Sequence, residues 1–175
     1  MARQAAVPFH LSRSQDQFAG GTVTSTKEMI HGLLRLEGDR LVVQWRLARR
    51  IEHMGAMAVR SDEELGSVRE LVIPLSGVAG AAVRRRWWLP RNPVLVLRAA
   101  DLRAFEEVAG EGGLKLDHPA ELVLGLRRGD TLTAEEFAAE LAMAVAERGL
   151  AADHAERLLR AASPAELRAP SKGPS

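Results

Sequence analysis

The chain has 175 residues and a formal net charge of +1, with 46% apolar and 27% charged residues, which is typical of a single domain that buries a core. No run approaches the roughly 18 apolar residues of a membrane span, so the sequence predicts a protein that is not transmembrane. The chain has no cysteine, which excludes disulfides and thiolate metal sites. Its N-terminus lacks the apolar stretch of a secretory signal, and both features together predict a cytoplasmic location.

Residues 1–26 are predicted to form an irregular N-terminal arm, because Pro8 and two glycines interrupt a polar stretch with few apolar residues. From Lys27 onward the dominant period is two, the pattern of strands with one face on a core. Residues 29–36 and 40–49 are predicted strands, and Glu37-Gly38-Asp39 between them predicts a tight hairpin turn.

Five more strands are predicted before the helical region. They cover residues 68–73, 79–89, 94–99, 113–116 and 120–127. The polar stretch 51–67 is interpreted as a long connection. Most of the other connections are too short for parallel crossovers, so the strands are expected to be antiparallel.

The period then changes to that of a helix. Thr133 to Glu136 fit a capping box, and Phe137, Leu141 and Val145 follow at helical spacing, with Gly149 as the expected end. Residues 149–168 are predicted to form a short helical extension and residues 169–175 a disordered tail.

This tally of seven strands followed by one amphipathic helix resembles the bacterial pleckstrin-homology-like (PH-like) proteins of uncharacterised function. The resemblance rests on residues 32–43, 73–78, 94–98 and 101–105 together with the capped helix, and covers about residues 27–148. It implies a mainly β fold with a C-terminal helix, namely a seven-stranded antiparallel barrel or sandwich capped by that helix. It also implies a fold that binds other molecules rather than transforming them, although a fold alone does not decide function.

A search for catalytic patterns supports a non-enzyme. The five histidines lie in separate segments without metal-ligand spacing, and no nucleophile motif of the G-x-S-x-G type occurs. Acidic pairs such as Glu63-Glu64 are adjacent in sequence and therefore point in different directions. The sequence predicts no catalytic residue, no metal site and no cofactor.

One local anomaly is a basic, tryptophan-containing hairpin that contrasts with an acidic helical region. Its candidate interaction residues are Arg84, Arg85, Arg86, Trp87, Trp88 and Arg91. Three interpretations stay open: a solvated strand end, a surface for self-association or a protein partner, and a site for an anionic ligand such as a lipid headgroup. The acidic helix of a neighbouring molecule would complement such a surface. Nucleic acid is disfavoured by the nearly neutral net charge.

The sequence therefore predicts an intracellular, non-catalytic protein-interaction or scaffold module, with self-association through the Trp87-Trp88 hairpin as one form of it. The alternative is an adaptor whose basic patch binds an anionic membrane surface or another anionic ligand. Phosphoinositide recognition of the usual PH type is disfavoured, because the loop Glu37-Gly38-Asp39 is short and acidic. A second alternative is an enzyme with a site in the mouth of the barrel.

Overall fold

The computed structural model describes residues 6–19, 22–54, 59–85, 92–108 and 116–162. They form one sheet of seven antiparallel strands followed by one C-terminal helix, so the predicted mainly β architecture is confirmed. The strands are β1 (Ala6–Ala19), β2 (Thr22–Glu37), β3 (Arg40–Met54), β4 (Val59–Pro74), β5 (Val78–Arg84), β6 (Val94–Ala99) and β7 (Glu121–Gly125). The helix is α1 (Thr131–Ala162).

The sheet curls because of one short connection. Its strand order is β4-β3-β2-β1-β7-β6-β5, so β4 and β5 are its two edges, yet only the 3-10 turn Leu75–Gly77 joins them. Seven strands laid flat would separate these edges by about 29 Å, whereas three residues span only about 10 Å. The two edges must therefore approach each other at this turn.

The curled sheet is not closed into the barrel that we predicted. Within the described residues, strand pairing joins β4 to β3 and β5 to β6, but no pairing joins β4 to β5. Pro74 ends β4 and lacks an N–H donor, and the 3-10 turn follows it at once. The chain thus passes from one edge to the other without continuing the ladder.

The predicted hairpin between β2 and β3 is confirmed, and its strands face the core with alternate residues. Glu37 pairs with Arg40 across the turn, and Gly38 has the positive φ of 60° that favours glycine there. Leu34 and Val43 are paired and buried. Their side of the sheet is the inner face, and the opposite side is called the outer face below.

The helix covers the opening of the curled sheet, packing mainly on β5 and also on β1. Phe137 and Leu141 are fully buried in the core, and Val145 is partly buried against it, as the helical spacing predicted. These apolar residues form a single stripe because their spacing places them on one side of the helix.

Residues 1–26 do not form an irregular arm as far as they are described. Residues 6–19 are strand β1, which pairs along its whole length with β2, and its Val7 and Phe9 are buried in the core. Beyond Leu11 the strand leaves the core and both of its faces are exposed. A strand exposed on both faces shows no apolar alternation, which is why the pattern did not predict it.

The stretch 51–67 is likewise not a loop. β3 continues to Met54 and β4 begins at Val59, so the two strands pair over most of this stretch. A bulge between Arg46 and Ala48 places two residues, Gly66 and Ser67, opposite Leu47. Of the predicted strand 113–116, only Leu116 is described, and it lies outside any strand.

The capping box at Thr133 is wrong, because α1 begins two residues earlier, directly after a 3-10 turn at Arg128–Asp130. The Thr131 hydroxyl instead donates to the Arg128 carbonyl at 2.8 Å. The helix also runs through Gly149 without a break, so the predicted extension is part of the same helix as far as residue 162. No helix of the described ranges is both long and apolar enough to cross a membrane.

We expect Gly32→Ala to destabilise the fold strongly. A Cβ at Gly32 would lie 2.2 Å from Cζ of Phe9 and 2.5 Å from the backbone oxygen of Gln44, so the sheet itself would have to move. The free energy of unfolding should fall by about 3 kcal/mol. Urea unfolding measures it, with Gly129→Ala as the control, because a Cβ there meets nothing within 4 Å. Equal midpoints for the two variants would contradict the close Phe9 contact.

Candidate functional site

The structure describes only part of the basic hairpin. Arg84 is the last residue of β5 and Arg85 follows it directly. The remaining candidate residues, Arg86, Trp87, Trp88 and Arg91, lie outside the described residues. The hypothesis that the tryptophans form an interaction surface therefore stays a prediction.

Both described arginines of the hairpin already have carboxylate partners within the chain. Arg85 Nη2 lies 2.6 Å from Oε1 of Glu135 on α1. Arg84 Nη2 lies 3.5 Å, and Arg98 Nε 3.2 Å, from the same oxygen of Glu121. We expected the acidic helix of a neighbour to complement this hairpin, but at Arg85 that carboxylate comes from the chain's own helix. This pairing leaves less positive charge for an external anion.

A row of alternating charges crosses the inner face where the four long strands leave the core. Arg13, Glu28, Arg49 and Glu64 occupy one register position on β1, β2, β3 and β4. Glu28 accepts hydrogen bonds from both neighbours, at 2.9 Å from Arg49 Nη2 and from Arg13 Nε on the other side. Glu64 is farther away, with 4.0 Å to Arg49 Nη1.

Glu28 is the charge on which this row depends, since only 14% of its side chain is exposed. Burial alone would raise the pKa of Glu28, but the hydrogen bonds from Arg49 and Arg13 outweigh that effect and lower it. The carboxylate is thus held in its charged form between two guanidinium groups. Arg13, Glu28 and Arg49 thus cover the end of the core with polar groups that are bonded to one another.

Two cavities lie beside this row. One, of about 200 Å³, opens where β1 diverges from β7 and is lined by Leu11, Ile30 and Val123, with Asp117 also in its wall. The other, of about 430 Å³, is lined by polar residues around Arg13 and Glu28. A third cavity, of about 320 Å³, lies between the end of β4 and the 3-10 segment that begins at Leu102.

Two histidines come together on the outer face, although they lie in separate segments of the sequence. His10 on β1 pairs directly with His31 on β2, and Arg46 on β3 is the next residue in the same row. His31 was noted as a histidine within a predicted strand, but His10 fell in the supposed arm. The alternation of Val7, Phe9 and Leu11 around His10 is the signal that could have placed it.

The other histidines are separate from this pair. His53 Nδ1 lies 3.2 Å from the Thr24 hydroxyl on the inner face, and His118 Nδ1 accepts a hydrogen bond from the Ala120 backbone. Among the residues that the structure describes, no group of three or more His, Asp and Glu side chains is arranged to hold a metal ion.

Comparison of the chain with protein-family models, with curated proteins and with solved structures finds no match.

We expect Glu28→Gln to lower the free energy of unfolding by about 1–2 kcal/mol at neutral pH, because two guanidinium groups lose a shared, largely buried partner. Glu64→Gln is the matched control on the same row. Its side chain is 74% exposed, so the change should stay below about 0.5 kcal/mol. Equal losses for the two variants would contradict the role given to Glu28.

The pH dependence of Glu28→Gln provides a second check. Since the pKa of Glu28 is lowered on folding, its stabilising effect is present above its unfolded pKa and is lost as the pH falls through the folded pKa. Thermal unfolding of the wild type and Glu28→Gln should therefore differ most near neutral pH and converge toward about pH 3. A difference that grows on acidification would contradict this assignment.

Proposed function

We propose that the chain is a non-catalytic protein-interaction module with a PH-like fold, and that it self-associates through the outer side of α1. Two features support the PH-like proposal. One is the run of seven antiparallel strands with the helix last, and the other is the short turn at Gly38 between β2 and β3. The open edge between β4 and β5 departs from a closed barrel.

The observation that carries the proposal is the length of α1. Val145 is the last helical residue packed against the core, and residues 146–158 are all exposed. A helical segment of this length is marginal in water without tertiary packing, and Gly149 within it costs about 1 kcal/mol more than alanine. A second protein surface against this half of the helix would supply the missing packing.

The apolar side chains suited to such packing point away from the core. Met143, Leu150 and Leu158 are 61%, 71% and 58% exposed. At about 100° per residue, Leu150 lies half a turn around the helix from the buried Leu141. Met143 lies within about 20° of Leu150 on that side, whereas Leu158 lies about 80° around the helix from Leu150. Met143 and Leu150 therefore form a short second apolar stripe opposite the one that packs on the sheet.

A second copy of the chain fits this stripe in an antiparallel arrangement. With Leu150 at the two-fold axis, Met143 of one copy lies opposite Arg157 of the other, because each is seven residues from the axis. Glu147 then lies opposite Asp153 of the second copy, and Glu140 lies opposite its Arg160. The Glu140–Arg160 contact joins opposite charges, whereas Glu147 and Asp153 have the same charge, and neither contact requires breaking the Arg85–Glu135 ion pair.

The alternative, an adaptor whose basic patch binds an anionic membrane, has less support than self-association, because the described arginines of the hairpin are already paired. Arg84, Arg85 and Arg98 already share carboxylates with the rest of the chain, so recruiting them would cost those ion pairs. The enzyme hypothesis has no observation of its own that favours it.

Sedimentation velocity over a wide range of protein concentration tests the proposal. We expect a reversible dimer, and Leu150→Glu should raise its dissociation constant at least about tenfold, because it places a charge at the centre of the apolar contact. Leu65→Glu is the matched control. Leu65 is 59% exposed on β4, so the same change there should leave the dimer intact.

Two outcomes would overturn the proposal. A wild-type chain that stays monomeric at all concentrations would exclude self-association. A dimer that survives Leu150→Glu but dissociates in Trp87→Ala or Trp88→Ala would move the interface from the helix to the hairpin.

A further inference from the structure

Most arginines on the sheet lie within ion-pair distance of a carboxylate. They include Arg13, Arg35, Arg40, Arg49, Arg50, Arg84 and Arg98. Arg60 near the start of β4 has no carboxylate of the described residues within ion-pair distance, and neither do Arg46 and Arg127. Arg46 and Arg127 belong to the same region of the outer face, so two positive charges there have no paired carboxylate among the described residues.

The register of three strands places Arg46 beside two histidines. His10 on β1, His31 on β2 and Arg46 on β3 are direct cross-strand neighbours, so their side chains project from the same face. This face is opposite to the core, because the adjacent residues Phe9 and Trp45 are buried on the inner face. Cationic groups in directly opposed positions repel each other unless an anion lies between them.

Gly125 brings Arg127 to the same place. His10 pairs with Gly125, and a Cβ there would lie 2.4 Å from the His10 carbonyl oxygen, so only glycine allows β7 to approach this closely. Leu126 is buried and Arg127 has extended backbone angles, φ −76° and ψ 151°. Alternation therefore directs Arg127 to the outer face, next to the His10 ring.

The charges around this cluster are strongly unequal. Two basic groups, His31 and Arg127, and one carboxylate, that of Asp130, act on His10. Burial is the largest cause that lowers the pKa of His10, and repulsion from His31 and Arg127 lowers it further. The charge of Asp130 only partly opposes these effects. Arg46 Nε donates to the Gly66 carbonyl of β4 at 2.9 Å.

We propose that His10, His31, Arg46 and Arg127 form a binding site for a phosphate-sized dianion. Guanidinium groups bind tetrahedral oxyanions through paired N–H donors, and each imidazole adds a further N–H donor. The pairing of the three strands and the β7 contact fix the backbone positions of these residues before any ligand arrives. The site is separate from the helix surface proposed for self-association and does not depend on it.

Histidine ring signals in NMR spectra of the full chain test this proposal, with inorganic phosphate as the probe. Phosphate should shift the His10 and His31 signals and raise the pKa of His10 by at least about half a pH unit, because a bound dianion favours the charged ring. The signals of His53 and His154 serve as internal references and should not move.

Two pairs of charge-matched variants locate the site. Arg127→Gln and Arg46→Gln should each weaken phosphate binding at least about fivefold, since each removes a charged hydrogen-bond donor. Arg128→Gln and Arg60→Gln remove the same charge outside the cluster, the first next to Arg127 and the second near the start of β4, and should have little effect. Circular dichroism establishes that each variant is folded, and Leu150→Glu, which targets only the dimer, should bind phosphate normally.

Acidification should strengthen binding, because both imidazoles become charged. Sulfate is the suitable probe here, since it keeps two negative charges while phosphate gains a proton. Its affinity should rise as the pH falls from about 7.5 to about 5.5, through the titration range of histidine. The groups that set this dependence are His10, His31, Arg46, Arg127 and Asp130.

Two further arms identify the source of the anion. A soluble phosphate monoester that competes with inorganic phosphate, with no binding to vesicles containing phosphatidic acid, supports a small dissolved ligand. Vesicle binding that Arg127→Gln abolishes and Arg128→Gln preserves supports a lipid headgroup at the same site. The proposal is overturned if phosphate and sulfate leave the His10 and His31 signals unchanged, or if Arg128→Gln weakens binding as much as Arg127→Gln.

Discussion

The turn Leu75–Gly77 is the constraint on which the architecture depends. It connects the two edges of a seven-stranded sheet and so forces the sheet to curl around its inner face. The curl creates an interior that no strand covers at the helix end, and Phe137 and Leu141 fill it. Without this connection the strands would form a flat, two-sided sheet, and α1 would have only one layer to pack on.

The elements that the sequence predicted well are those with one solvent-exposed face and one buried face. β2, β3 and the first half of α1 contact the core on one side, so their apolar residues recur with the period of the element. β1 and the ends of β3 and β4 extend past the core, and their exposed residues carry no such period. The helix beyond Gly149 was predicted as a separate short extension, and the break was wrong because a local stop signal does not decide whether a helix continues.

The candidate sites depend on register, which composition does not contain. The sequence showed arginines clustered at 84–91 and acids clustered after residue 133, and it suggested an intermolecular attraction between them. In the structure Arg85 pairs with Glu135 of the same chain. Conversely, His10, His31 and Arg46 are far apart in sequence and become neighbours only through the pairing of β1, β2 and β3. A one-residue slip of any of these strands would send its residue to the inner face.

The two proposed sites differ in how much order each must gain on binding. His10, His31 and Arg46 lie on strands that are paired on both sides, and Gly125 allows β7 to approach His10 closely. A small anion there would order few additional groups, so its binding depends mainly on charge and should weaken with salt. Residues 146–158 of α1 are exposed, with Arg148 paired to Asp39, so association must also stabilise this part of the helix. Helical content that rises with protein concentration would therefore accompany self-association, whereas anion binding should leave the circular dichroism spectrum unchanged.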